Sequence, residues 1–262
     1  MATGLSPLVR LRQDGFALRF FNSSMSLALW LAPKDHVNGV ERFFRRYLKP
    51  GDVVVDVGAN IGLYTLTCAV CVGDSGHVYA VEPSPRVFGY LQSNVALNRC
   101  RHIHLFNCAL GESESVLRFS DESQDDRNGI VASGAQEVPV RRLDALPIPD
   151  RSIALLKVDV EGYEKYVLDG ATSLLPRVQC IFIETWEAHF ARYGYSCADV
   201  HERLRAHGFR LFRLVDGAYR DVEPGYVSEH CEDLIGIRDA ADFTARTGSV
   251  LQASTHAPSF QR

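Results

Sequence analysis

The sequence predicts an α/β fold in which a mostly parallel sheet is covered by helices on both faces. Short apolar segments alternate with longer segments of helical periodicity along most of the chain. The first regular apolar segment, Val53–Val57, leads directly into a glycine-containing turn and then into a helical segment. Strands that alternate with helices form parallel sheets, and burial on both faces explains why most residues of these strands are apolar.

The first 50 residues precede this alternation, and we expect them to form a hairpin and a helix that act as a lid on the substrate side. Residues 16–21 and 26–31 alternate in polarity, which predicts a β-hairpin or two short strands. Residues 40–48 have helical periodicity, and the Lys-Pro-Gly-Asp sequence at residues 49–52 is typical of a turn that ends a helix.

Residues 51–240 are predicted to form the main domain, because strands and helices alternate regularly there. Short apolar runs predict strands, whereas apolar residues spaced three and four apart predict helices. The predicted strands are residues 53–57, 77–81, 103–108, 153–158, 180–183, 209–215 and 234–237, and the predicted helices are residues 61–70, 85–97, 164–168 and 198–207.

Two regions depart from the alternation. Residues 111–149 are long and polar, and candidate strands at 116–119 and 138–140 predict a hairpin inserted beside the ligand crevice of the sheet. From residue 241 the chain loses its apolar periodicity and gains Ser, Thr and Gln. Residues 241–262 are therefore predicted to form a mobile tail.

The composition limits the class of protein. Of the 262 residues, 46% are hydrophobic and 23% are charged, which is typical of a globular domain with its own core. The 28 basic and 32 acidic residues give a net charge of −4, and no block of Lys and Arg stands out. We therefore expect no nucleic-acid partner.

The same composition bears on location. No apolar run approaches the roughly 18 residues that a membrane span needs. Arg10, Arg12 and Asp14 lie where a signal peptide would have its apolar core. The seven cysteines are odd in number and several lie in apolar segments, as reduced thiols do. We predict a cytoplasmic protein without a membrane span.

The turn after the first regular strand predicts a nucleotide-sized binding site. It reads Asp-Val-Gly-Ala-Asn-Ile-Gly from Asp56 to Gly62, and its glycines allow the backbone to approach a ligand closely. A dinucleotide fingerprint has its first glycine where this turn has Asp56. A carboxylate there repels a pyrophosphate and attracts a cation such as an amino group or a sulfonium.

A second acid narrows the choice of nucleotide. Glu82 ends the next predicted strand, 20 residues after Gly62, where a carboxylate can accept two hydrogen bonds from a ribose diol. S-adenosylmethionine carries an amino group, a sulfonium and a ribose. The pattern therefore favours S-adenosylmethionine over a dinucleotide and over a turn with a purely structural glycine.

Three further motifs resemble those of the FkbM-type methyltransferases. Val81-Glu82-Pro83 follows the second strand of the main domain, and a Leu-x-x-Asn-x-x-Leu-Asn motif ends the next helix at Asn98. The Leu-Lys-Val-Asp-Val-Glu-Gly-Tyr-Glu segment at residues 156–164 is similar to the second signature of that family. The resemblance covers about residues 40–185.

The resemblance implies a class I methyltransferase fold, which is Rossmann-like and has seven strands with an antiparallel last one. It also implies S-adenosylmethionine as the cofactor and a hydroxyl oxygen of a sugar or natural product as the methyl acceptor. Tyr163 departs from the residue more usual in the family, so no catalytic role is assigned to it. The residues expected to bind the cofactor are Asp56, Gly58, Ala59, Asn60 and Gly62 for the methionine part, Glu82 for the ribose, and Asn107 and Ala109 for the adenine.

The candidate catalytic residues are Asp159, Glu161 and Glu184, which follow or end two neighbouring predicted strands. We expect Asp159 or Glu161 to accept the proton of the acceptor hydroxyl. Alternatively, Asp159 contacts the methyl donor, Glu161 caps the next helix and Lys157 forms a structural ion pair. His189 is a further candidate base, with a structural role as its alternative.

The same three acids are also candidate ligands for a metal ion. The three carboxylates can also hold Mg²⁺ against a substrate diol. We predict no metal, because we expect the donor and Lys157 to occupy the carboxylates.

The predicted function is S-adenosylmethionine-dependent methylation of a hydroxyl on a small molecule or glycan. The alternatives are an N- or RNA methyltransferase on the same fold and an S-adenosylmethionine-binding protein without turnover. The negative net charge and the lack of an Asn-Pro-Pro-Tyr-like motif after the fourth strand argue against the first alternative. The acids at the strand ends argue against the second.

Overall fold

The structure, a computed structural model, describes residues 9–31, 39–120, 136–215 and 217–252. The strands are β1 (Arg10–Arg12), β2 (Ala17–Arg19), β3 (Val53–Val57), β4 (His77–Val81), β5 (Ile103–Phe106), β6 (Ala109–Leu110), β7 (Ser115–Phe119), β8 (Gln136–Arg141), β9 (Ile153–Val158), β10 (Val178–Thr185), β11 (Arg210–Val215), β12 (Ala218–Asp221), β13 (Glu232–Ile237) and β14 (Leu251–Gln252). The helices are α1 (Ser24–Leu31), α2 (Gly39–Tyr47), α3 (Leu63–Val72), α4 (Pro85–Asn98), α5 (Glu164–Asp169), α6 (Glu187–Ala191), α7 (Cys197–Ala206) and α8 (Ala240–Thr247), with short 3-10 helices at Leu143–Ala145 and Leu175–Arg177.

Nine strands of the described chain form the central sheet, in the order β14-β12-β11-β13-β10-β9-β3-β4-β5. The run from β5 to β11 comprises seven strands, in which only β13 is antiparallel to its neighbours. This order confirms the predicted class I methyltransferase fold, which β12 and β14 extend at one edge. Strand β4 follows β3 on one side of it, and the chain later returns to place β9 on the other side. The strand order therefore reverses at β3, and the ligand crevice of the sheet lies at its carboxyl end.

Helices cover both faces of this sheet. All five side chains of β3 are buried, and Val54 joins one apolar cluster whereas Val53, Val55 and Val57 join the other. Helices α2, α3, α4 and α8 contribute to the first cluster, and α5 and α7 contribute to the second. The period of two along a strand explains this division. Within the described residues, no helix is both long and apolar enough to cross a bilayer.

The N-terminal segment differs from the prediction in one element. The predicted strand at 16–21 is present as β2, but it pairs antiparallel with β1, and residues 24–31 form helix α1 instead of a second strand. The side chain of Ser23 accepts a hydrogen bond from the backbone N–H of Ser26 at 3.0 Å and so starts the helix locally. The alternation of polarity alone therefore gave the wrong periodicity here.

The hairpin of β1 and β2 is fixed to helix α4 by two asparagines. The side chain of Asn98 accepts a hydrogen bond from the Ala17 N–H at 2.9 Å, and that of Asn94 accepts one from the Arg19 N–H at 2.8 Å. Asn94 is fully buried and also donates to the carbonyl oxygen of Ile61 at 2.8 Å. One amide thus joins the hairpin, helix α4 and the turn after β3.

The insertion contains the strands predicted for it, whereas the C-terminal segment differs from its prediction. The candidate strands at 116–119 and 138–140 are present as β7 and β8, which pair antiparallel, and β8 also pairs with β6. Within the predicted mobile tail, residues 241–252 instead contain strand β14 and all of helix α8 except its first residue, Ala240. Asp239 caps α8, and the helix needs only Phe243 and Thr247 as buried side chains, which explains its weak apolar period. Residues 253–262 lie outside the described residues.

Candidate active site

A cavity of about 260 Å³ opens at the carboxyl ends of β3, β4 and β9. It lies between the turn after β3, the loop after β4 and the loop after β9. Among the predicted site residues, the cavity is lined by Gly58, Ala59, Asn60, Glu82, Ala109, Asp159, Glu161 and Glu184. The structure therefore brings five of the eight predicted cofactor residues and the three predicted catalytic acids to one cavity.

The turn after β3 is built on two close backbone approaches. Gly58 has φ +78°, and a Cβ atom there would lie 1.8 Å from the carbonyl oxygen of Asp159. The N–H groups of Gly58 and Ala59 both donate to the carbonyl oxygen of Val81 at 3.0 Å. Asn60 also has a positive φ, +50°. The turn is thus held between β4 and β9 in a conformation that favours glycine.

Gly62 serves this turn rather than the cavity itself. It has φ +95° and lies at the start of α3, where a Cβ atom would come within 2.7 Å of the Leu91 side chain. Gly62 is not among the residues that line the cavity. Gly62 has a structural role, because it lets α3 pack against α4, and its contact with the cofactor stays a prediction.

Glu82 is a buried carboxylate whose oxygens can accept further hydrogen bonds. Its two oxygens accept hydrogen bonds from the N–H groups of Asn60 and Ser84, both at 2.9 Å. Burial raises the pKa of the Glu82 carboxyl to about 7, although both backbone hydrogen bonds lower it. A carboxylate offers about four acceptor positions. The two that remain suit a ligand diol.

Asn107 holds the loop after β4. Its side chain donates to the carbonyl oxygens of Glu82 at 2.9 Å and Pro83 at 3.1 Å. Asn107 does not line the cavity, whereas Ala109 and its neighbours Cys108 and Leu110 do. The Asn107 amide positions the loop that carries Glu82, and its contact with the adenine stays a prediction. The role of Ala109 stays a prediction.

A charge triad, which we define as the buried Asp56 and Lys157 and the partly exposed Asp159, lies beneath the turn. The Lys157 Nζ atom lies 3.3 Å from Asp56 Oδ1 and 3.4 Å from Asp159 Oδ2, and it donates to the Gly58 carbonyl oxygen at 3.0 Å. Burial lowers the pKa of the Lys157 ammonium, but the two carboxylates outweigh burial and raise it overall. Lys157 is therefore charged, and the triad has a net charge of about −1.

Asp56 lies in the charge triad and not on the surface of the cavity. The Asp56 side chain is only 1% exposed and does not line the cavity. Its second carboxylate oxygen accepts a hydrogen bond from the Thr65 hydroxyl at 2.6 Å. The contact of Asp56 with the cofactor stays a prediction. The ion pair that the sequence suggested for Lys157 is present, and Lys157 also reaches the cavity wall.

The acceptor side of the cavity carries an acid rim, which we define as Asp159, Glu161 and Glu184. Burial and the charge of Asp159 raise the pKa of the Glu184 carboxyl to about 7. The His189 Nδ1 atom lies 3.6 Å from Glu161 Oε2 and 3.8 Å from Glu184 Oε2. Burial and then Arg192 lower the pKa of His189 to about 4. The imidazole is neutral at pH 7 and a weak base.

The loop after β9 orients Glu161 toward this rim. Glu161 has φ +57°, and the Arg192 side chain donates to its carbonyl oxygen at 3.1 Å. A Cβ atom at Gly162 would lie 2.8 Å from the His189 carbonyl oxygen, so the loop packs tightly on α6. Helix α5 has Tyr163 as its N-cap residue, and Glu164 in its first turn accepts a hydrogen bond from the Val160 N–H at 2.9 Å. Helix capping and proton acceptance by Glu161 both stay predictions.

Glu164 also makes stability depend on pH. Burial raises the pKa of its carboxyl to about 8 from an ordinary value of 4.5. A raised pKa means that the folded state favours the protonated form. This contribution to stability is complete below about pH 4.5 and is lost as the pH rises toward 8.

Glu164→Gln is therefore expected to flatten the pH dependence of unfolding. Gln keeps an oxygen for the Val160 N–H and does not titrate. Between pH 5 and 8 the free energy of unfolding of the natural protein should fall more steeply than that of the variant, by up to about 1.4 kcal/mol per pH unit. Urea unfolding at several pH values measures this difference, and parallel curves would contradict it.

Comparison with known proteins places the chain in a family. The family model described as the methyltransferase FkbM domain matches residues 56–211. The chain is 28% identical over 214 residues to the 31-O-demethyl-FK506 methyltransferase FkbM of Streptomyces tacrolimicus, covering 67% of this chain and 79% of that protein. It is 27% identical over 185 residues to the hexuronic acid methyltransferase AglP of Haloferax volcanii, covering 68% of this chain and 74% of that protein.

A fungal relative shows a similar level of identity over a shorter region. The chain is 32% identical over 143 residues to Methyltransferase 1 of Beauveria bassiana, which covers 45% of this chain and 57% of that protein. The family match includes the turn after β3, Glu82, the charge triad and the acid rim. Because that match covers 156 of the 262 residues, the protein belongs to the FkbM family of methyltransferases.

Proposed function

We propose that the protein transfers a methyl group from S-adenosylmethionine to a hydroxyl oxygen of a sugar or natural-product small molecule. One observation carries this proposal. A single cavity joins the buried carboxylate of Glu82, which suits a ribose, to the acid rim, which suits a hydroxyl acceptor. Donor and acceptor sites must adjoin for a direct transfer between them.

The donor side of the cavity fits S-adenosylmethionine. Gly58, Ala59 and Asn60 form a cradle at which the first residue leaves no room for a Cβ atom. Glu82 keeps acceptor positions for a diol, and Ala109 lies in a largely apolar wall that suits a purine. When bound, S-adenosylmethionine supplies an electrophilic methyl group on a sulfonium. The net negative charge triad favours a cation at this place.

The acid rim supplies what a hydroxyl acceptor needs. An alcohol is a weak nucleophile while it is protonated, so a group that takes its proton assists the reaction. Asp159 is the rim residue next to Gly58 and next to Lys157. We therefore assign proton acceptance to Asp159 and orientation of the hydroxyl to Glu161 and Glu184.

The names of two relatives agree with an oxygen acceptor on a small molecule. One relative is named for an O-demethyl compound and the other for a hexuronic acid. The net charge of −4 supports an acceptor other than nucleic acid. A cytoplasmic location, inferred from the cysteines, stays part of the proposal.

Asp159→Asn tests the assignment of the base. We expect kcat to fall by about 10²- to 10⁴-fold, because the amide cannot take the proton, while its oxygen still faces Lys157 and preserves donor binding. Methyl ethers formed from a panel of sugars, uronic acids and natural-product alcohols are measured by mass spectrometry, and donor affinity is measured by calorimetry. Asp150→Asn is the control, since Asp150 is exposed and precedes the opposite end of β9.

The alternatives have distinct outcomes in the same experiment. A methyl group found on nitrogen or on RNA would replace the proposal with an N- or RNA methyltransferase. Tight donor binding without product on any acceptor would indicate a binding protein without turnover. Normal turnover by Asp159→Asn would remove Asp159 from the role of base and leave the donor site unchanged.

A further inference from the structure

Three side chains with metal-binding atoms converge beside the cavity from three different elements. Glu161 belongs to the loop after β9, Glu184 to β10 and His189 to α6. One ligand atom from each lies within 4.8 Å of the other two, and the described part of the chain holds no second group of three. The imidazole nitrogen Nδ1 faces both carboxylates, at 3.6 Å and 3.8 Å.

These distances fit ligands of a common cation better than they fit hydrogen bonds. Hydrogen bonds between nitrogen and oxygen span about 2.7 to 3.2 Å. The His189 Nδ1 atom is inaccessible to solvent and has no hydrogen-bond partner among the described residues, although buried polar atoms almost always have one. Two ligand atoms about 2.1 Å from one cation lie about 3.0 to 3.4 Å apart. Small side-chain movements close the remaining gap.

The three groups are also held in place by their surroundings. The Trp186 ring packs on the His189 ring with 4.3 Å between centroids, and the Trp186 indole donates to the Glu229 carbonyl oxygen. Glu161 is directed by its positive φ and by the hydrogen bond from Arg192. Glu184 lies on a central strand. A site with rigid ligands requires little reorganisation when a cation binds.

We propose that Glu161, Glu184 and His189 bind a divalent cation that accepts both oxygen and nitrogen ligands, of the Mn²⁺ type. An imidazole between two carboxylates disfavours Mg²⁺ and Ca²⁺, which prefer oxygen ligands alone. Three protein ligands leave positions open for the acceptor. The inference rests on the proposed function for its consequence, namely that the acceptor offers two adjacent oxygens, as a vicinal diol or a hydroxy acid does. It replaces the sequence-based prediction of no metal.

Titration of the full-length, EDTA-treated protein with MnCl₂ tests the site directly. Loss of the free Mn²⁺ signal in electron paramagnetic resonance should show one Mn²⁺ per chain, and Mg²⁺ should compete poorly. Glu161→Gln, Glu184→Gln and His189→Gln should each weaken Mn²⁺ binding by at least about tenfold. Glu229→Gln is the matched control, because Glu229 is an exposed glutamate whose contact with Trp186 uses only its backbone.

The outcomes separate this inference from the proposed function. Absence of a Mn²⁺ site in the natural protein, or undiminished binding by both Gln variants of the glutamates, overturns the inference. Full hydroxyl methylation in EDTA overturns the consequence drawn for the acceptor and leaves the proposed function standing. Specific Mn²⁺ binding that the three variants weaken supports the inference, even if no hydroxyl is methylated and the proposed function fails. Circular dichroism confirms that each variant is folded.

Discussion

Gly58→Ala is expected to abolish methyl transfer and to destabilise the protein by about 3 kcal/mol or more. The new Cβ atom would lie 1.8 Å from the carbonyl oxygen of Asp159, so either the turn after β3 or the end of β9 must move. Both segments line the cavity, and displacement of about 1 Å is enough to lower turnover about 100-fold. Thermal unfolding, calorimetry with S-adenosylmethionine and a methyl-transfer assay measure the three effects.

Gly194→Ala is a control that separates the effect of steric overlap at the new Cβ atom from the effect of backbone strain. Gly194 has φ +77°, almost the same as the +78° of Gly58, but a Cβ atom there would meet nothing within 4 Å. This variant should lose only the cost of a left-handed conformation, about 1 to 2 kcal/mol, and should keep donor binding. Equal losses in the two variants would show that the contact with Asp159 is unimportant.

Lys157→Met is expected to be the second most damaging substitution, with a loss of about 3 to 5 kcal/mol in the free energy of unfolding. Methionine fills a similar volume but leaves the carboxylates of Asp56 and Asp159 without their shared cation. An unpaired buried carboxylate favours its protonated form. The loss should therefore be smaller at low pH, which urea unfolding at several pH values measures.

Lys165→Met is the matched control for this substitution. Lys165 also forms an ion pair, with Asp169 at 3.1 Å, but it is 23% exposed. Pairs of this kind contribute about 0 to 1 kcal/mol. Adding Asp56→Asn to Lys157→Met should restore part of the stability, because one uncompensated charge is then removed. A double variant no more stable than Lys157→Met would contradict the electrostatic explanation.

The sequence was sufficient for elements whose signals are local. β3 has the predicted bounds because a short run of valines, interrupted only by Asp56, lies between a Lys-Pro-Gly-Asp turn and a glycine turn. Helix α8 was missed because it is short and buries only two side chains, so its stability depends on contacts with distant residues. Its Phe243 packs on the rings of Phe43 and Tyr47, about 200 residues earlier. Periodicity within a segment contains no information about such contacts.

The candidate site shows the same limit at the level of side chains. Gly58 and Glu82 line the cavity because their places follow from strand ends, and their contacts with the cofactor stay predictions. The position of Asp56 depends instead on register, since it lies opposite Lys157 on the neighbouring strand β9. Sequence spacing could not show that this lysine would form an ion pair with the Asp56 carboxylate. A lysine inside an otherwise apolar strand was the only local signal of a buried partner.

The position of Asn94 has a consequence for how the site responds to a ligand. Its amide contacts the hairpin through Arg19 and the turn after β3 through Ile61. A ligand that orders the turn therefore also favours the docked hairpin. Thermodynamic reciprocity requires that hairpin docking strengthens ligand binding by the same factor. A small N-terminal element can in this way adjust the affinity of the protein for its methyl donor.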